Sequence, residues 1–74
     1  MSKEDIKILN YLIMCINEFA KQKSLKNQEA YNYLKEYKGL NFLKECYEAE
    51  HTVSLNDAIY DLTEVCKKNG GNLK

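Results

Sequence analysis

Arginine is absent from this chain of 74 residues. All eleven basic residues are lysines, and eleven acidic residues balance them to a net charge of zero. Arginine is the side chain best suited to bind a guanine edge or a phosphate group through two parallel hydrogen bonds. A neutral chain without arginine binds nucleic acid poorly unless its lysines gather on one face. The composition therefore argues against a nucleic-acid-binding protein.

Proline is also absent, and glycine occurs only three times. With no proline and no long polar tract, nothing indicates a linker, and we expect a single helical domain over residues 1–74. The one glycine pair, Gly70-Gly71, follows a predicted helix, so it indicates a helix end and not a phosphate-binding loop. A membrane span needs about 20 predominantly apolar residues, and the most apolar stretch is broken by Asn10 and Asn17. The charged N-terminus, which has no small-residue cleavage site, argues against a signal peptide.

Cysteine is scarce, and its three copies do not form pairs in the sequence. Cys15, Cys46 and Cys66 fall in three different predicted helices, which is not the pattern of a secreted disulfide framework. Each lies on or beside an apolar stripe, where a reduced thiol acts as a small hydrophobic group. Structural zinc sites bring ligands in pairs two to four residues apart, and these cysteines with His51 do not. We therefore expect no metal or cofactor, and a cytoplasmic protein.

The most apolar stretch, residues 6–20, predicts one long amphipathic helix over residues 3–22. Ser2 and Asp5 resemble a capping box at its start. Apolar residues at intervals of three and four predict a buried stripe, which consists of Leu9, Leu12, Ile13, Ile16, Phe19 and Ala20. Other apolar side chains spread beyond this stripe: Ile6, Ile8, Tyr11, Met14 and Cys15. We interpret this surplus as core, with a partner-binding flank as the alternative, because a small chain has few helices to cover it.

Three shorter helices are predicted over residues 27–38, 41–50 and 55–69. Their short connections favour sequential neighbours in space, with the second and third helices running back along the first. The predicted fold class is all-α, a small four-helix bundle with one long apolar N-terminal helix and three shorter helices.

Local signals mark the ends of these helices. Either Ser24 or Asn27 could cap the second helix, and Gly39 is expected to end it in the left-handed conformation. Ser54 with Asp57 is a second signal of the capping-box type and opens the last helix. The run Asn69-Gly70-Gly71 is expected to end that helix and to leave residues 72–74 as a tail.

The most distinctive stretch is Tyr47-Glu48-Ala49-Glu50-His51-Thr52. In a local interpretation, His51 satisfies the helix dipole and Thr52 bonds the backbone in the turn. In a functional interpretation, the stretch is an exposed aromatic, acidic and histidine-bearing corner that meets a partner, since loop positions often carry function. An acidic stripe on the last helix, Asp57, Asp61 and Glu64, adds negative charge. The residues predicted to contact a partner are Tyr47, Glu48, Glu50, His51, Asp57 and Asp61.

No convergent set of reactive groups indicates an enzyme, and we expect no catalytic residues. Cys46 and His51 are five residues apart across a helix end, and no third member of a nucleophilic triad is visible. The carboxylates of residues 45, 48 and 50 are explained more simply as solvated charges on one helix. A helix-turn-helix would present the acidic stripe to DNA, which is the wrong sign of charge.

The order of these segments resembles the small bacterial family called domain of unknown function 3791. The resemblance covers nearly the whole chain and rests on Asn17-Glu18-Phe19-Ala20, Leu25, Glu29-Ala30, Gly39-Leu40-x-Phe42-Leu43, Tyr47 to Thr52, Asp57-Ala58-Ile59-x-Asp61-Leu62 and Cys66-x-x-Asn69-Gly70-Gly71. The corner that contains Tyr47, His51 and Thr52 and the Asn-Gly-Gly end are its more specific parts. Many members carry Leu-His-Thr, whereas this chain has Glu50 before His51.

The resemblance implies a genetic context and no catalytic motif. Genes of this family often sit beside genes for small proteins that look like ADP-ribosyltransferases, which implies a toxin with its neutralising partner. The hypothesis is therefore a non-catalytic, antitoxin-like protein-binding module. One alternative is a self-associating structural or regulatory domain in which the first helix pairs across a symmetric dimer. Another is a DNA-binding repressor of its own operon.

Overall fold

A computed structural model describes residues 2–72, which form five α-helices and no strand. The helices are α1 (Lys3–Lys23), α2 (Asn27–Glu36), α3 (Gly39–Glu45), α4 (Tyr47–Glu50) and α5 (Leu55–Lys68). The predicted all-helical class is confirmed for these residues. The helix predicted over 41–50 is instead two helices, because the backbone leaves the helical region at Cys46, with φ −106° and ψ 19°. Leu73 and Lys74 of the predicted tail lie outside the described residues.

Side chains and glycines at the helix ends satisfy the terminal backbone groups. The predicted capping box of α1 is present: the Asp5 N–H donates to Ser2 Oγ at 3.1 Å, and the Ser2 N–H donates to Asp5 Oδ2 at 3.3 Å. At the start of α5, Ser54 Oγ accepts from the Asp57 N–H at 3.1 Å. Each of these bonds satisfies an N–H that the helix itself leaves unpaired.

The Asn-Gly-Gly segment ends α5 in a Schellman motif. Gly70 has φ +98°, a conformation that favours glycine. The Gly71 N–H donates to the Cys66 carbonyl oxygen at 2.8 Å, and the Gly70 N–H donates to that of Lys67 at 3.1 Å. A Cβ on Gly71 would collide with the Tyr33 hydroxyl, so the second glycine allows this helix end to lie against α2.

Two expectations about the connections around α2 are wrong. The residue before α2 that caps it is Lys26, whose N–H donates to Glu29 Oε1 at 2.9 Å, and not Ser24 or Asn27. Ser24 instead ends α1, with φ +56°.

The prediction that Gly39 ends the second helix in the left-handed conformation is also wrong. Lys38 is the left-handed residue, with φ +69°, and Gly39 is the buried first residue of α3. A Cβ on Gly39 would lie 2.9 Å from Leu34 Cδ2, 2.9 Å from Leu62 Cδ1 and 3.0 Å from Cys66 Sγ. Glycine is therefore required here because α2, α3 and α5 approach one another at this point of the backbone.

The core lies where α1, α2, α3 and α5 pack against one another. Its largest fully buried side chains are Phe19, Leu34, Leu43, Ile59, Leu62, Cys15 and Cys66. In α1 the buried residues are Tyr11, Leu12, Cys15, Phe19 and Ala20. The expectation that Leu9 and Ile13 are buried is wrong, since nearly half of each side chain is exposed. Apolar residues occupy most of the circumference of α1, so the sequence period alone does not decide which face packs inward.

The outer face of α1 consequently carries apolar side chains that the rest of the chain does not cover. We call Ile6, Leu9, Ile13 and Met14 the α1 outer strip.

None of the helices within residues 2–72 has both the length and the apolar character needed to cross a membrane.

Candidate functional site

A groove opens where the N-terminal half of α1 faces α3 and α4. It has a volume of about 410 Å³ and is lined by Glu4, Ile8, Lys44, Glu45, Cys46, Tyr47, Glu48 and Ala49. Ile8, Cys46 and Tyr47 are partly buried and form an apolar floor. Three exposed acidic residues, Glu4, Glu45 and Glu48, and one lysine, Lys44, complete its lining. The groove therefore combines an apolar floor with a net negative rim.

A second, mostly apolar depression of about 360 Å³ adjoins this groove on α1. It shares Ile8 and Lys44 with the first and adds Asp5, Leu9 and Leu12. We call the two depressions together the α1–α4 groove. It exists because the chain bends at Cys46, which gives α4 a direction of its own instead of continuing α3.

The rings of Tyr47 and His51 stack on one another beside the groove. Their centroids are 4.5 Å apart with an interplanar angle of 9°, as the spacing of four residues in a helical turn allows. The Tyr47 and Tyr11 rings also form a T-shaped pair, with centroids 5.4 Å apart and an interplanar angle of 76°. His51 Nδ1 lies 2.7 Å from the Tyr47 carbonyl oxygen, which can only accept, so Nδ1 carries the hydrogen. The Nε2 atom of the exposed His51 ring is thus the one left for a partner.

The bonds of the local interpretation are also present at this corner. Besides the bond from His51 Nδ1, the Thr52 hydroxyl donates to the Ala49 carbonyl oxygen at 2.7 Å. These two side-chain bonds reinforce the last turn of α4, since the same carbonyl oxygens of Tyr47 and Ala49 also accept the backbone N–H groups of His51 and Thr52.

Glu50 points into the protein and not into solvent. Only 8% of the residue is exposed, and within residues 2–72 its Oε1 atom has no hydrogen-bond partner. The interpretation of Glu50 as a solvated charge is therefore wrong. Burial, together with a hydrogen bond to the neighbouring Asp61 carboxyl group, raises the pKa of Glu50 to about 7. A proton on Glu50 avoids placing two negative charges side by side in a poorly hydrated site.

The polar cluster around Glu50 continues into α1. The buried Tyr11 hydroxyl has no hydrogen-bonding nitrogen or oxygen within residues 2–72, and the weakly polar Cys15 thiol lies beside it. The pKa of Tyr11 is raised mainly by burial and secondly by its hydrogen bond with Cys15. Burial also raises the pKa of the Cys15 thiol. Glu50, Tyr11 and Cys15 therefore stay protonated in the folded protein at mildly acidic pH.

The six residues predicted to contact a partner thus separate into different environments. Tyr47 and Glu48 line the groove, and His51 stacks on Tyr47. Glu50 is buried against Asp61, while Asp57 is exposed in the first turn of α5 and does not line the groove. Glu4, Ile8, Lys44 and Glu45 also line the groove and were not predicted. The sequence places the third helix along the first, but no local pattern shows which side chains meet there.

The cysteine side chains are placed for packing. Cys15 and Cys66 are buried and Cys46 is partly buried, and all three are free thiols. Burial raises the pKa of Cys66 to about 11, which keeps its thiol protonated and unreactive at neutral pH. Within residues 2–72, no three His, Cys, Asp or Glu side chains are grouped so that they could hold a metal ion.

One of three comparisons with known proteins gave a match. The sequence model of the family described as "Protein of unknown function (DUF3791)" matches residues 10–69. That range covers α2 to α5 and the part of α1 from Asn10 onward. Searches of curated proteins and of solved structures gave no match.

Proposed function

We propose that this chain, which belongs to the DUF3791 family of proteins of unknown function, is a non-catalytic protein-binding module. Family membership is the relationship that the sequence resemblance predicted. The observation that carries the proposal is the α1–α4 groove, with Ile8 and Tyr47 on its floor and the carboxylates of Glu4, Asp5, Glu45 and Glu48 around it. An apolar floor supplies binding energy when it is dehydrated, and a charged rim selects the partner and speeds encounter.

The groove indicates the chemistry of the partner. Glu4, Glu45 and Glu48 on the rim favour lysine or arginine side chains, and the floor favours an apolar or aromatic side chain between them. The stacked pair of Tyr47 and His51 adds a flat aromatic surface at one end of the groove. The partner surface we propose is therefore a basic segment or cleft with at least one apolar side chain.

We propose that the partner is an ADP-ribosyltransferase-like protein encoded by a neighbouring gene, and that the chain neutralises it as an antitoxin does. The choice of this class comes from what the family resemblance implies. A site that binds the pyrophosphate of NAD is basic, so an acidic groove is complementary to it. We place this activity in the cytoplasm, since three free thiols without a disulfide are typical of a reducing compartment.

Co-expression of the tagged chain with the product of the neighbouring gene tests this function. We expect the two proteins to co-purify and the toxicity of the partner to be relieved. If they do not co-purify and toxicity persists, the proposed function is wrong.

Charge reversal locates the contact. Glu45→Lys with Glu48→Lys reverses two rim charges, and we expect it to weaken the complex about tenfold or more, equivalent to about 1.4 kcal/mol. The single variant Glu48→Lys has a matched control in Glu36→Lys, which also reverses one exposed charge but lies at the end of α2, outside the groove. An equal loss of affinity in the control would show that overall charge matters and that the groove does not.

A further inference from the structure

The burial of Glu50 leaves its carboxyl group without the partners that a charge needs. In the part of the chain that the structure describes, Glu50 is the one buried residue among the Asp, Glu, Lys and His side chains. Its Oε1 atom has no hydrogen-bond partner there, and its polar neighbour on α5 is a second acid, Asp61. A buried carboxylate needs a cation or several hydrogen-bond donors. The site therefore fits a neutral, protonated Glu50 and does not fit an ionised one.

The titratable groups that face Glu50 from the neighbouring helices do not change this conclusion. They are all acids, supplied by α5 and α1: Asp61, Tyr11 and Cys15. The ionisable side chains of α3, Lys44 and Glu45, are exposed and line the groove. On α4 itself, the Tyr47 hydroxyl is another weak acid close to Tyr11. Among these groups, none of those that face Glu50 supplies a positive charge.

The helix that carries Glu50 is a single turn between two breaks in the helical backbone. Before α4 the chain leaves the helical region at Cys46, with φ −106° and ψ 19°, and after α4 residues 51–54 form a non-helical connection to α5. A helix of one turn is not stable alone in water, because starting a helix costs more than one turn returns. Its position therefore depends on the inward side chains, which are Glu50 and the Tyr47 ring that contacts Tyr11.

We propose that α4 is a pH-sensitive switch, which stays docked while Glu50 carries its proton and undocks locally when Glu50 loses that proton to solvent. The packing of α1, α2, α3 and α5 remains in the undocked state, because none of the largest fully buried side chains belongs to α4. Since α4 supplies Tyr47, Glu48 and Ala49 to the α1–α4 groove, the groove is complete only in the docked state.

The pKa of Glu50 sets the size of the effect. It is about 7 while α4 is docked, and it returns to its ordinary 4.5 when the carboxylate meets water. The ratio of undocked to docked chains must then rise with pH between these two values. Because each pKa unit of difference is a factor of ten, this ratio should increase about 200-fold from pH 4 to pH 8.

Amide hydrogen exchange of the chain alone, followed by nuclear magnetic resonance, measures this ratio. The N–H groups of Glu50 and His51 donate to carbonyl oxygens one turn earlier, at 2.8 Å and 2.9 Å, so they exchange when α4 unwinds. Dividing each rate by that of the same amide in an unfolded peptide at the same pH gives the ratio of open to closed chains. The amides of the fully buried Phe19 and Leu62 report global unfolding.

We expect the α4 amides to open more often than the core amides at every pH from 4 to 8, with the increase of about 200-fold given above. If the α4 amides open only as often as those of Phe19 and Leu62, α4 is released only by global unfolding and the proposal is overturned. An opening ratio in α4 that stays constant from pH 4 to pH 8 overturns it as well.

A matched pair of variants assigns the pH dependence to Glu50. In Glu50→Gln the opening ratio of α4 should be the same at pH 4 and pH 8, because glutamine does not ionise. Glu48→Gln removes an exposed carboxylate from the same helix and should keep the pH dependence of the wild type. An unchanged pH dependence in Glu50→Gln, or an equal loss in Glu48→Gln, would contradict the switch. Because these experiments need no partner protein, their failure is distinguishable from failure of the proposed function.

Discussion

The substitution Glu50→Gln is expected to stabilise the protein at alkaline pH and to leave its stability unchanged in acid. Glutamine has the shape of protonated glutamate and carries no charge at any pH. Its amide can donate a hydrogen bond to the Asp61 carboxylate, the group that Glu50 meets in the wild type. The variant therefore removes the cost of burying a charge while it keeps the local packing.

The magnitude follows from the pKa of Glu50, which rises from its ordinary 4.5 to about 7 in the folded protein. Between these two values the folded chain binds more protons than the unfolded chain, so the free energy of unfolding falls as pH rises. The stabilising contribution is complete below about pH 4.5 and is lost by about pH 7. Each pKa unit corresponds to about 1.4 kcal/mol, so the loss is about 3 kcal/mol in total.

Urea unfolding followed by circular dichroism at pH 4.5 and pH 8 measures this effect. At pH 8 we expect the free energy of unfolding of Glu50→Gln to exceed that of the wild type by about 3 kcal/mol. At pH 4.5 we expect the two free energies to be equal. Glu48→Gln is the matched control, because Glu48 is exposed two residues away in the same short helix. An equal difference from the wild type at both pH values, or an equal effect of Glu48→Gln, would refute the burial of a protonated Glu50 against Asp61.

Two further substitutions test the backbone of the fold. Gly39→Ala should lower the free energy of unfolding by about 2 kcal/mol, since its Cβ would press on Leu34 and Leu62; unchanged stability in urea unfolding would contradict this close approach. Ser24→Gly should raise the free energy of unfolding by about 0.5–1 kcal/mol, because the φ of +56° at this residue is unfavourable for serine. A lower free energy of unfolding in the same urea assay would contradict that backbone conformation.

The helix ends that the sequence predicts correctly are those set by a few adjacent residues. Ser2 with Asp5, Ser54 with Asp57 and the Gly70-Gly71 pair act within one turn of chain, so their side chains and conformations identify them. The break at Cys46 has no such mark, since neither glycine nor proline stands there. Gly39 looks like a helix end in sequence, and only its contacts with distant helices show why it is buried.

The candidate site was predictable only in part, because it too depends on contacts between helices that are distant in the sequence. Tyr47 and Glu48 belong to the stretch that the sequence singles out, and they line the groove. Glu48 and Glu50 look alike in sequence, yet one is exposed and the other buried, because burial depends on how α4 lies against Asp61 of α5. Ile8 lines the groove because it lies on the side of α1 that packs against the other helices. Apolar residues surround most of α1, so the sequence does not show which side of this helix is buried.

A nuclear magnetic resonance titration of the labelled chain with the ADP-ribosyltransferase-like protein tests the central claim most directly. If the α1–α4 groove is the binding site, the largest changes in amide shift or intensity will fall on Ile8, Glu45, Tyr47 and Glu48. They will leave the exposed face of α2 around Tyr31 unchanged. Changes centred on α2, or no change at partner concentrations that saturate a micromolar site, would contradict the account.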